Sequence, residues 1–435
     1  MKLRPLTLCV AISAVSMEAL AGSPRFLDAR AFAMGGVGVT AARPAAASFY
    51  NPALLAIERK EKNDDFGMLL PSIAVIASDE DELIDTADEF EEKFLIPFED
   101  SINNFDVGDA AGSTAEVATQ ATRLRDELNR IDKDQATIDL GMGVSFQVPS
   151  QDVAVGVFLS GSARVTAGLR FRDEAILNQI INEANSPGGF VVPGDIDYDV
   201  SGNDLKSTIR AVGASTAQAG VSLAGNYEIS GQSIAIGLSP KVVALRAYDH
   251  SYDVDNFDDF DSDDLKDSKV SKSGFNLDLG VATFLDRDRR WMAGLAIQNI
   301  IPMSVTTDDK TISGTANNPG DVRIEGRKVE LKPSASIGIS YAGDAYIVAA
   351  DLDLTKTEAL MNEDDSQHIG IGAEYDLFES VQFRFGVRHN LAGDPGTMFT
   401  TGFGLNILGA TVELAAMSDS GSDTVGAALQ LGATF

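Results

Sequence analysis

The fold is decided by the stretch Ile138-Asp139-Leu140-Gly141-Met142-Gly143-Val144-Ser145-Phe146-Gln147-Val148, in which every even-numbered residue is apolar and every odd-numbered residue is polar or glycine. Side chains along a β-strand point alternately to its two faces, so this stretch predicts a strand with one apolar and one polar face. The same alternation recurs at residues 275–281, 331–341 and 381–388. The chain is therefore predicted to be all-β.

The predicted strands are too long for an ordinary soluble sheet. Many of them run for about 10 to 15 residues, whereas globular strands usually hold about five or six and membrane-spanning strands need roughly 9–11. The sequence contains fourteen candidate strands, an even number. They lie at residues 66–78, 136–149, 152–172, 206–228, 233–248, 271–285, 291–305, 329–342, 345–356, 367–377, 381–391, 397–408, 410–418 and 423–435.

The connections between these strands alternate in length. Long polar links lie at residues 79–135, 173–205, 249–270 and 306–328, and short turns such as 149–151 lie between them. Outer-membrane barrels have short periplasmic turns and longer extracellular loops, whereas a soluble β-sandwich has no reason to sort its loops in this way. We therefore predict a 14-stranded antiparallel transmembrane β-barrel over residues 63–435, with 79–135 as an acidic, partly helical first extracellular loop.

Both ends of the chain indicate export to the outer membrane of a Gram-negative bacterium. Lys2 and Arg4 precede an apolar run that ends in a small-x-small site, which is typical of a cleavable signal peptide at residues 1–21. The last strand alternates up to the aromatic Phe435, and we expect the barrel-assembly machinery to read this end.

The composition excludes several classes of function. The only cysteine, Cys9, lies in the predicted leader, so the mature chain is expected to have no disulfide, thiol catalysis or cysteine-bound metal. The formal net charge of −31 disfavours nucleic acid as a partner, because phosphate contacts need the opposite sign. The three histidines are isolated, and no HExxH or GxSxG motif is present, so neither an enzyme nor a cofactor is predicted.

The negative charge is concentrated in two links. Residues 79–134 hold 18 acidic side chains against five Lys or Arg, and residues 249–267 hold nine against one. These links are either solvated surface or, alternatively, bridge divalent cations to anionic lipopolysaccharide. A run in the second link lacks the glycine and the closing glutamate of an EF-hand, so at most weak divalent binding is predicted there, at Asp258, Asp259, Asp261 and Asp263.

Three segments of the long links have helical spacing. Residues 81–96 show it clearly and residues 122–131 more weakly, both in the first loop, and residues 173–185 predict a short helix in the second. These helices could pack on one another as a plain lid or, alternatively, cap the mouth of the barrel.

The segment before the first strand does not alternate. It contains Met34-Gly35-Gly36-Val37-Gly38-Val39 and Ser48-Phe49-Tyr50-Asn51-Pro52-Ala53. These runs resemble the N-terminal plug of the long-chain fatty-acid transporter (FadL) family, which implies that residues 22–62 pack inside a 14-stranded barrel. A phosphate-binding loop is disfavoured, because the glycines have neither GxGxxG spacing nor a GK[ST] ending and no βαβ unit follows. The resemblance implies plug roles for Gly35, Gly36, Gly38, Asn51, Pro52 and Ala53.

A closer resemblance extends over nearly the whole chain. The run Asn51-Pro52-Ala53-Leu54-Leu55-Ala56, the run Leu69-Leu70-Pro71-Ser72 and the acidic stretch from Ser78 are similar to an outer-membrane group that carries a conjugal-transfer TraF label. This resemblance implies a relative of the fatty-acid transporters.

The polar face of each strand should point into the lumen if the apolar face meets lipid. Interior charges need partners, so the simpler interpretation is that they pair with one another or pin the plug. Alternatively, a lumen cation binds the carboxylate of an amphipathic substrate. The inward residues on this basis are Asp139, Gln147, Asn276, Asp278, Lys332, Glu374, Arg384, Arg388 and Asn406, and the substrate-site candidates among them are Asp278, Lys332, Glu374, Arg384 and Arg388.

The resemblances imply passive uptake of a hydrophobic or amphipathic, fatty-acid-like molecule through the barrel, past a plug that moves. The alternative is a structural or assembly protein whose extracellular loops bind another surface component, and a soluble periplasmic β protein comes third. Outer-membrane lipid, lipopolysaccharide and the barrel-assembly machinery are the expected partners.

Overall fold

The computed structural model describes residues 26–57, 66–79, 83–190, 205–253, 262–315, 318–378, 380–394, 396–421 and 423–434. The predicted signal peptide, the three aspartates Asp258, Asp259 and Asp261, and Phe435 lie outside these residues, and of Asp263 only the backbone is described. The helices within the described residues are all too short or too polar to span a bilayer.

Fourteen long strands form the wall of a closed barrel, and four short strands lie between two of them. The wall strands are β1 Gly67–Ser78, β2 Gln135–Val148, β3 Ala154–Arg170, β4 Thr208–Ile229, β5 Gln232–Asp253, β6 Val270–Phe284, β7 Trp291–Gln298, β12 Ser334–Ala342, β13 Tyr346–Asp353, β14 His368–Leu377, β15 Val381–Asn390, β16 Thr397–Ile407, β17 Ala410–Asp419 and β18 Thr424–Thr434. The short strands are β8 Met303–Thr306, β9 Lys310–Ile312, β10 Val322–Ile324 and β11 Lys328–Leu331.

The barrel closes by antiparallel pairing of the first strand with the last. Ile73 of β1 lies opposite Leu429 of β18, and Val75 lies opposite Ala427. Every other wall strand pairs antiparallel with its neighbours in chain order. The predicted 14-stranded antiparallel barrel is therefore confirmed, and closure leaves no strand edge along the seam.

The outer face of the wall is apolar. On β3, Val155, Val157 and Leu159 are 40%, 49% and 59% exposed, whereas Gly156 and Phe158 between them are buried. On other wall strands too, every second residue tends to be an exposed apolar side chain, as the alternation predicts. An outward apolar belt around a closed barrel is the architecture of transmembrane barrels of the outer membrane.

The wall departs from the prediction after Gln298. We predicted continuous strands at residues 291–305 and 329–342, but β7 ends at Gln298 and β12 begins only at Ser334. Asn299 has a φ of 55°, a conformation that asparagine adopts more readily than most residues, and the chain leaves the sheet there. The side chain of Asn276 fixes the turn, because it accepts from the backbone N of Ile301 (3.0 Å) and donates to its carbonyl (2.8 Å).

The 299–333 link then folds into the barrel. β8 pairs with β11, and Met303, Val305 and Val329 pack against Val243 and Leu245 of β5. Those β5 residues share the face that points into the lumen. The alternation of residues 303–305 therefore belongs to a hairpin buried inside the mouth and not to a lipid-facing strand.

Helices cover the ends of the tall strands on the side of the long loops. They are α3 Leu83–Phe90, a π-helical turn Glu91–Leu95, α4 Ile96–Asn103, α5 Ala110–Arg130 and α6 Glu174–Ala184, with α7 Ser262–Asp267 in the next loop. The predicted helices are present, but α5 begins at Ala110, twelve residues before the predicted 122–131 helix. Val117, Leu124 and Leu128 of α5 share one buried core with Leu177 and Ile180 of α6.

Residues 26–57 form a plug inside the barrel. It consists of α1 Ala29–Ala33, α2 Pro44–Tyr50 and a 3₁₀ helix Pro52–Ala56. Phe32, Met34, Leu54 and Leu55 of the plug are each at most 1% exposed. The side chain of Asp28 caps α1 by accepting from the backbone N of Ala31 (3.3 Å).

Glycines of the wall let the plug backbone approach closely. A Cβ on Gly386 of β15 would overlap the backbone of Gly35, and one on Gly280 of β6 would overlap the side chain of Asn51. Gly237 of β5 meets the Pro52–Ala53 backbone in the same way. The plug therefore packs directly against the backbone of the wall at these glycines.

Candidate functional site

A cavity of about 340 Å³ lies between the plug and the long loops, and we call it the chamber. Its floor is apolar and aromatic, with Phe26, Phe49 and Tyr50 of the plug beside Phe158 of β3. The rings of Phe49 and Phe158 meet edge to face with centroids 6.0 Å apart. The plug therefore supplies most of the floor of the chamber.

The wall of the chamber is polar. Hydroxyl and amide side chains project into it from β3, β4, β7 and β12, including Ser160, Ser162, Thr216, Gln218, Gln298, Ser334 and Ser336. The chamber thus has an apolar base and a hydrogen-bonding upper part. Such a space suits an amphipathic molecule better than a pure hydrocarbon.

Charged side chains in the chamber are mostly acidic. Among the described residues that line it, seven are Asp or Glu and three are Lys or Arg. Asp139 binds Arg164 through two bonds of 2.8 Å. Lys241 lies 2.7 Å from Asp278, and both of these side chains are 3% exposed. Two cations of the chamber are thus already held by carboxylates.

Asp351 of β13 anchors the middle of the plug. Its Oδ2 accepts hydrogen bonds from the backbone N–H groups of Gly38 (2.7 Å) and Val39 (2.8 Å). A third contact joins the plug to the chamber, because the Arg388 guanidinium lies 4.5 Å from the centre of the Phe26 ring. This distance is that of a cation–π contact.

A buried ionic network holds the other side of the plug. Glu374 of β14 accepts from Arg30 of α1 at 2.8 and 3.1 Å, from Arg384 of β15 at 2.5 Å and from Arg43 at 3.4 Å. Glu413 of β17 accepts from Arg384 at 2.9 Å and from Arg43 at 3.5 Å. Charges buried to this degree persist only when they are paired.

Lys332 lies apart from these groups. It is in the link between β11 and β12, its side chain is 47% exposed, and it pairs with Glu358 (2.5 Å) and Glu330 (3.2 Å). Hydrogen bonds to these two carboxylates raise the pKa of Lys332. Of the five substrate-site candidates, the structure places Asp278 and Arg388 in the chamber, Glu374 and Arg384 in the plug network, and Lys332 in neither.

The predicted plug residues line the contact with the wall. Gly35 and Gly36 have φ values of 71° and 84°, which glycine adopts without strain. Gly38 packs against the ring of Tyr50. The side chain of Asn51 caps the 3₁₀ helix by accepting from the N of Ala53 (3.1 Å). Asn51 also donates to two backbone carbonyls, one in the plug (2.9 Å) and one in β6 (3.2 Å).

The remaining predicted lumen residues have local partners. Gln147 donates to the hydroxyl of Ser48 in the plug (2.7 Å), and Asn406 accepts from the N of Gly409 in a short turn (3.1 Å). Sequence reasoning missed Arg30, Arg43, Asp351 and Glu413. Two signals were available: Arg30 and Arg43 are the only basic residues in 26–57, and the two acids occupy polar positions of alternating strands.

The barrel is similar to two solved transporters. The toluene transporter TbuX of Ralstonia pickettii matches with a TM-score of 0.51 and 13% identity, over 94% of this chain and 98% of that chain. The toluene transporter TodX of Pseudomonas putida matches with a TM-score of 0.50 and 12% identity, over 96% of this chain and 97% of that chain. At these identities the likeness shows a shared fold. No curated protein matches the chain.

A family model covers well over half of the chain. It carries the description "F plasmid transfer operon, TraF, protein" and matches residues 48–353. The matched region begins in α2 of the plug and continues to the end of β13. The predicted resemblance to a TraF-labelled outer-membrane group is thereby confirmed, and the chain belongs to this TraF family.

Proposed function

We propose that this protein is a passive transporter of the outer membrane, which admits a small amphipathic molecule to the chamber and releases it past the plug. The observation that carries the proposal is the chamber itself, whose floor is the plug and whose upper wall offers hydrogen bonds. A molecule with an apolar part and a polar head matches both surfaces. The two proteins that share the fold are toluene transporters, which supports the same class of activity.

The route follows from the lining of the chamber. Asp364, Asp394 and Thr424 line it near the extracellular ends of β1 and β14–β18, opposite the inward hairpin, so entry is from that side. The plug closes the way to the periplasm, and its charged anchors meet β13–β15 and β17. Passage of a molecule to the periplasm therefore requires part of the plug to move away from its anchors on the wall.

A substitution that fills the chamber tests the proposal. Ser160 of β3 lines the chamber, and Val157 of the same strand faces lipid and is 49% exposed. We expect Ser160→Trp to block the chamber, whereas Val157→Trp places the same side chain in the apolar belt. The assay is the uptake of the hydrophobic fluorophore N-phenyl-1-naphthylamine by cells that express the full chain, and heat-dependent gel mobility verifies that each barrel has folded.

The expected result is faster uptake with the native chain than with an empty vector, and loss of that gain in Ser160→Trp alone. Equal uptake by both tryptophan variants would refute passage through the chamber. No gain over the empty vector would refute transport of such molecules altogether.

A second candidate is an assembly role, and the helical cap favours it. Helices α3–α6 have their own apolar core, including Phe98, Leu124 and Leu177, beyond the ends of the wall strands. The family description, which refers to a plasmid transfer operon, also supports this role. Charge-reversing substitutions on the exposed face of α5 should abolish partner capture without changing uptake if the cap is a docking surface.

A further inference from the structure

The loop between β13 and β14, residues 354–367, crosses the mouth of the barrel, and we call it the strap. Thr357 and Ser366 pair as a β-bridge with two hydrogen bonds of 2.9 Å, so the two arms of the strap run side by side. Beyond this bridge the tip turns back on the carboxylate of Glu363, which accepts from two backbone N–H groups of the tip (both 2.8 Å). The strap is therefore an ordered element with hydrogen bonds of its own.

The tip of the strap contacts the opposite side of the barrel. Thr166 of β3 donates its hydroxyl to Glu363 (3.2 Å), and the backbone N of Asn362 donates to the side chain of Gln135 in β2 (3.2 Å). In the ring of wall strands, five strands separate β13–β14 from β2–β3 in either direction. The strap therefore spans the full width of the lumen.

The strap is also the roof of the chamber. Along β3 the inward side chains run from Phe158 at the floor, through Ser160 and Ser162 in the chamber wall, to Thr166 at the strap. The eight residues from floor to roof correspond to about 26 Å along the strand. The strap residues that line the chamber are Thr357, Asn362, Glu363, Asp364 and Ser366. The chamber is thus enclosed between the plug and the strap.

The strap is held more lightly than the walls that it joins. Among residues 354–367, all of which the structure describes, Leu360 is the one buried apolar side chain, and it packs beside Val243 of β5 on the side of the inward hairpin. On the side of the proposed entry the contact is polar, since Asp364 accepts from the backbone N of Asp394 (3.0 Å). Segments with few buried apolar contacts open locally at low free energy. The strap is therefore the part of the enclosure that opens most readily.

From these contacts we infer that the strap is a gate, which closes the chamber in this structure and must release its tip from β2 and β3 to admit a molecule. This inference rests on the proposed transport function, because a gate matters only if molecules pass the mouth. Since Glu363 binds the backbone of the tip itself, the tip keeps its shape as it moves. The strap then controls entry to the chamber, and the plug controls release from it.

A thiol placed under the strap tests the gate without any transport. The only native cysteine, Cys9, lies in the predicted leader, so Ser160→Cys gives the mature chain a single thiol in the chamber wall. Its rate of reaction with fluorescein-5-maleimide is measured on the purified, detergent-solubilised barrel. We expect Thr166→Val, which keeps the shape but removes the hydroxyl bound to Glu363, to accelerate the reaction about tenfold, since hydrogen bonds to charged groups are the stronger ones. In the matched control, Thr283→Val removes a hydroxyl of β6 that donates to a backbone carbonyl outside the chamber (2.9 Å), and the rate should not change.

A reversible tether tests whether the strap lies on the route of transport. Gln135→Cys with Asn362→Cys, bridged by 1,2-ethanediyl bismethanethiosulfonate, fixes the tip to the wall where the two residues meet. Capping the same two thiols with methyl methanethiosulfonate adds equal bulk without a bridge. Uptake of N-phenyl-1-naphthylamine by cells that express the full chain should fall to the empty-vector level in the bridged barrel. It should persist in the capped barrel and return when a reductant cleaves the bridge.

The gate and the proposed function fail in different ways. If Thr166→Val leaves the maleimide rate within about threefold of the native rate, or if Thr283→Val raises it equally, the tip does not control access and the inference is overturned. Equal uptake by the bridged and capped barrels would mean that molecules bypass the strap, which also overturns it. If the native chain gives no gain over the empty vector, transport is refuted, and the maleimide rates still decide whether the strap opens.

Discussion

Removing the carboxylate at the centre of the plug network should loosen the plug. Glu374 binds Arg30 and Arg43 of the plug and Arg384 of the wall, and its side chain is 6% exposed. Glu374→Gln preserves the shape but removes the negative charge that these three guanidinium groups share, while Glu413 still accepts from Arg384 and Arg43. The excess positive charge is buried, so α1 is expected to separate from the barrel wall more often.

The magnitude follows from the burial of the network. Breaking a buried ion pair by removing one partner costs about 3–5 kcal/mol. At about 1.4 kcal/mol for each factor of ten, the opening equilibrium of the plug should rise by about a hundredfold to a few thousandfold. The wall keeps its strand pairing, so the effect should be confined to residues 26–57.

Hydrogen–deuterium exchange of the backbone amides of α1 measures this opening directly. Glu330→Gln is the control, because Glu330 pairs with Lys328 and Lys332 at the surface, where ion pairs contribute little. Heat-dependent gel mobility verifies that both variants form closed barrels. If α1 exchange in Glu374→Gln stays within about threefold of the native rate, the network does not hold the plug and the argument from burial is wrong.

Two further substitutions test how the plug is seated. Asn51→Ala removes the cap on Ala53 and two bonds to carbonyls, which should cost about 2–3 kcal/mol, and limited proteolysis should then cleave the plug faster. Gly386→Ala places a methyl group against the backbone of Gly35 and should accelerate naphthylamine uptake by displacing the plug. Gly396→Ala, where a Cβ has only one atom within 4 Å, should behave as the native chain does.

The period-two pattern was sufficient for the barrel but not for its irregular part. Alternation shows that a strand has two unlike faces, and it does not show which environment each face meets. At Met303 and Val305 the apolar face meets the inner wall and not lipid, so the prediction of one strand through residue 305 was wrong. The turn at Asn299 gave a weak signal, since asparagine tolerates positive φ without requiring it.

The site was harder to predict than the fold because its contacts join distant parts of the chain. The inward direction of Glu374 and Arg384 follows from alternation, whereas the pairing of Glu374 with Arg30 depends on how the plug packs inside the closed barrel. Lys332 was placed in the lumen by extending alternation through a link that is not a strand.

The distance in sequence between the plug and its anchors governs the order of assembly. Arg30 meets Glu374 at a separation of 344 residues, and the backbone N of Ala29 donates to Gln430 (2.9 Å) at a separation of 401. These two anchors of the plug are therefore missing until nearly the whole chain has been synthesised. Because β1 also pairs with β18, the seam of the barrel and these anchors of the plug become complete only when the last strand has been made, so barrel closure and plug anchoring are both late events of biogenesis.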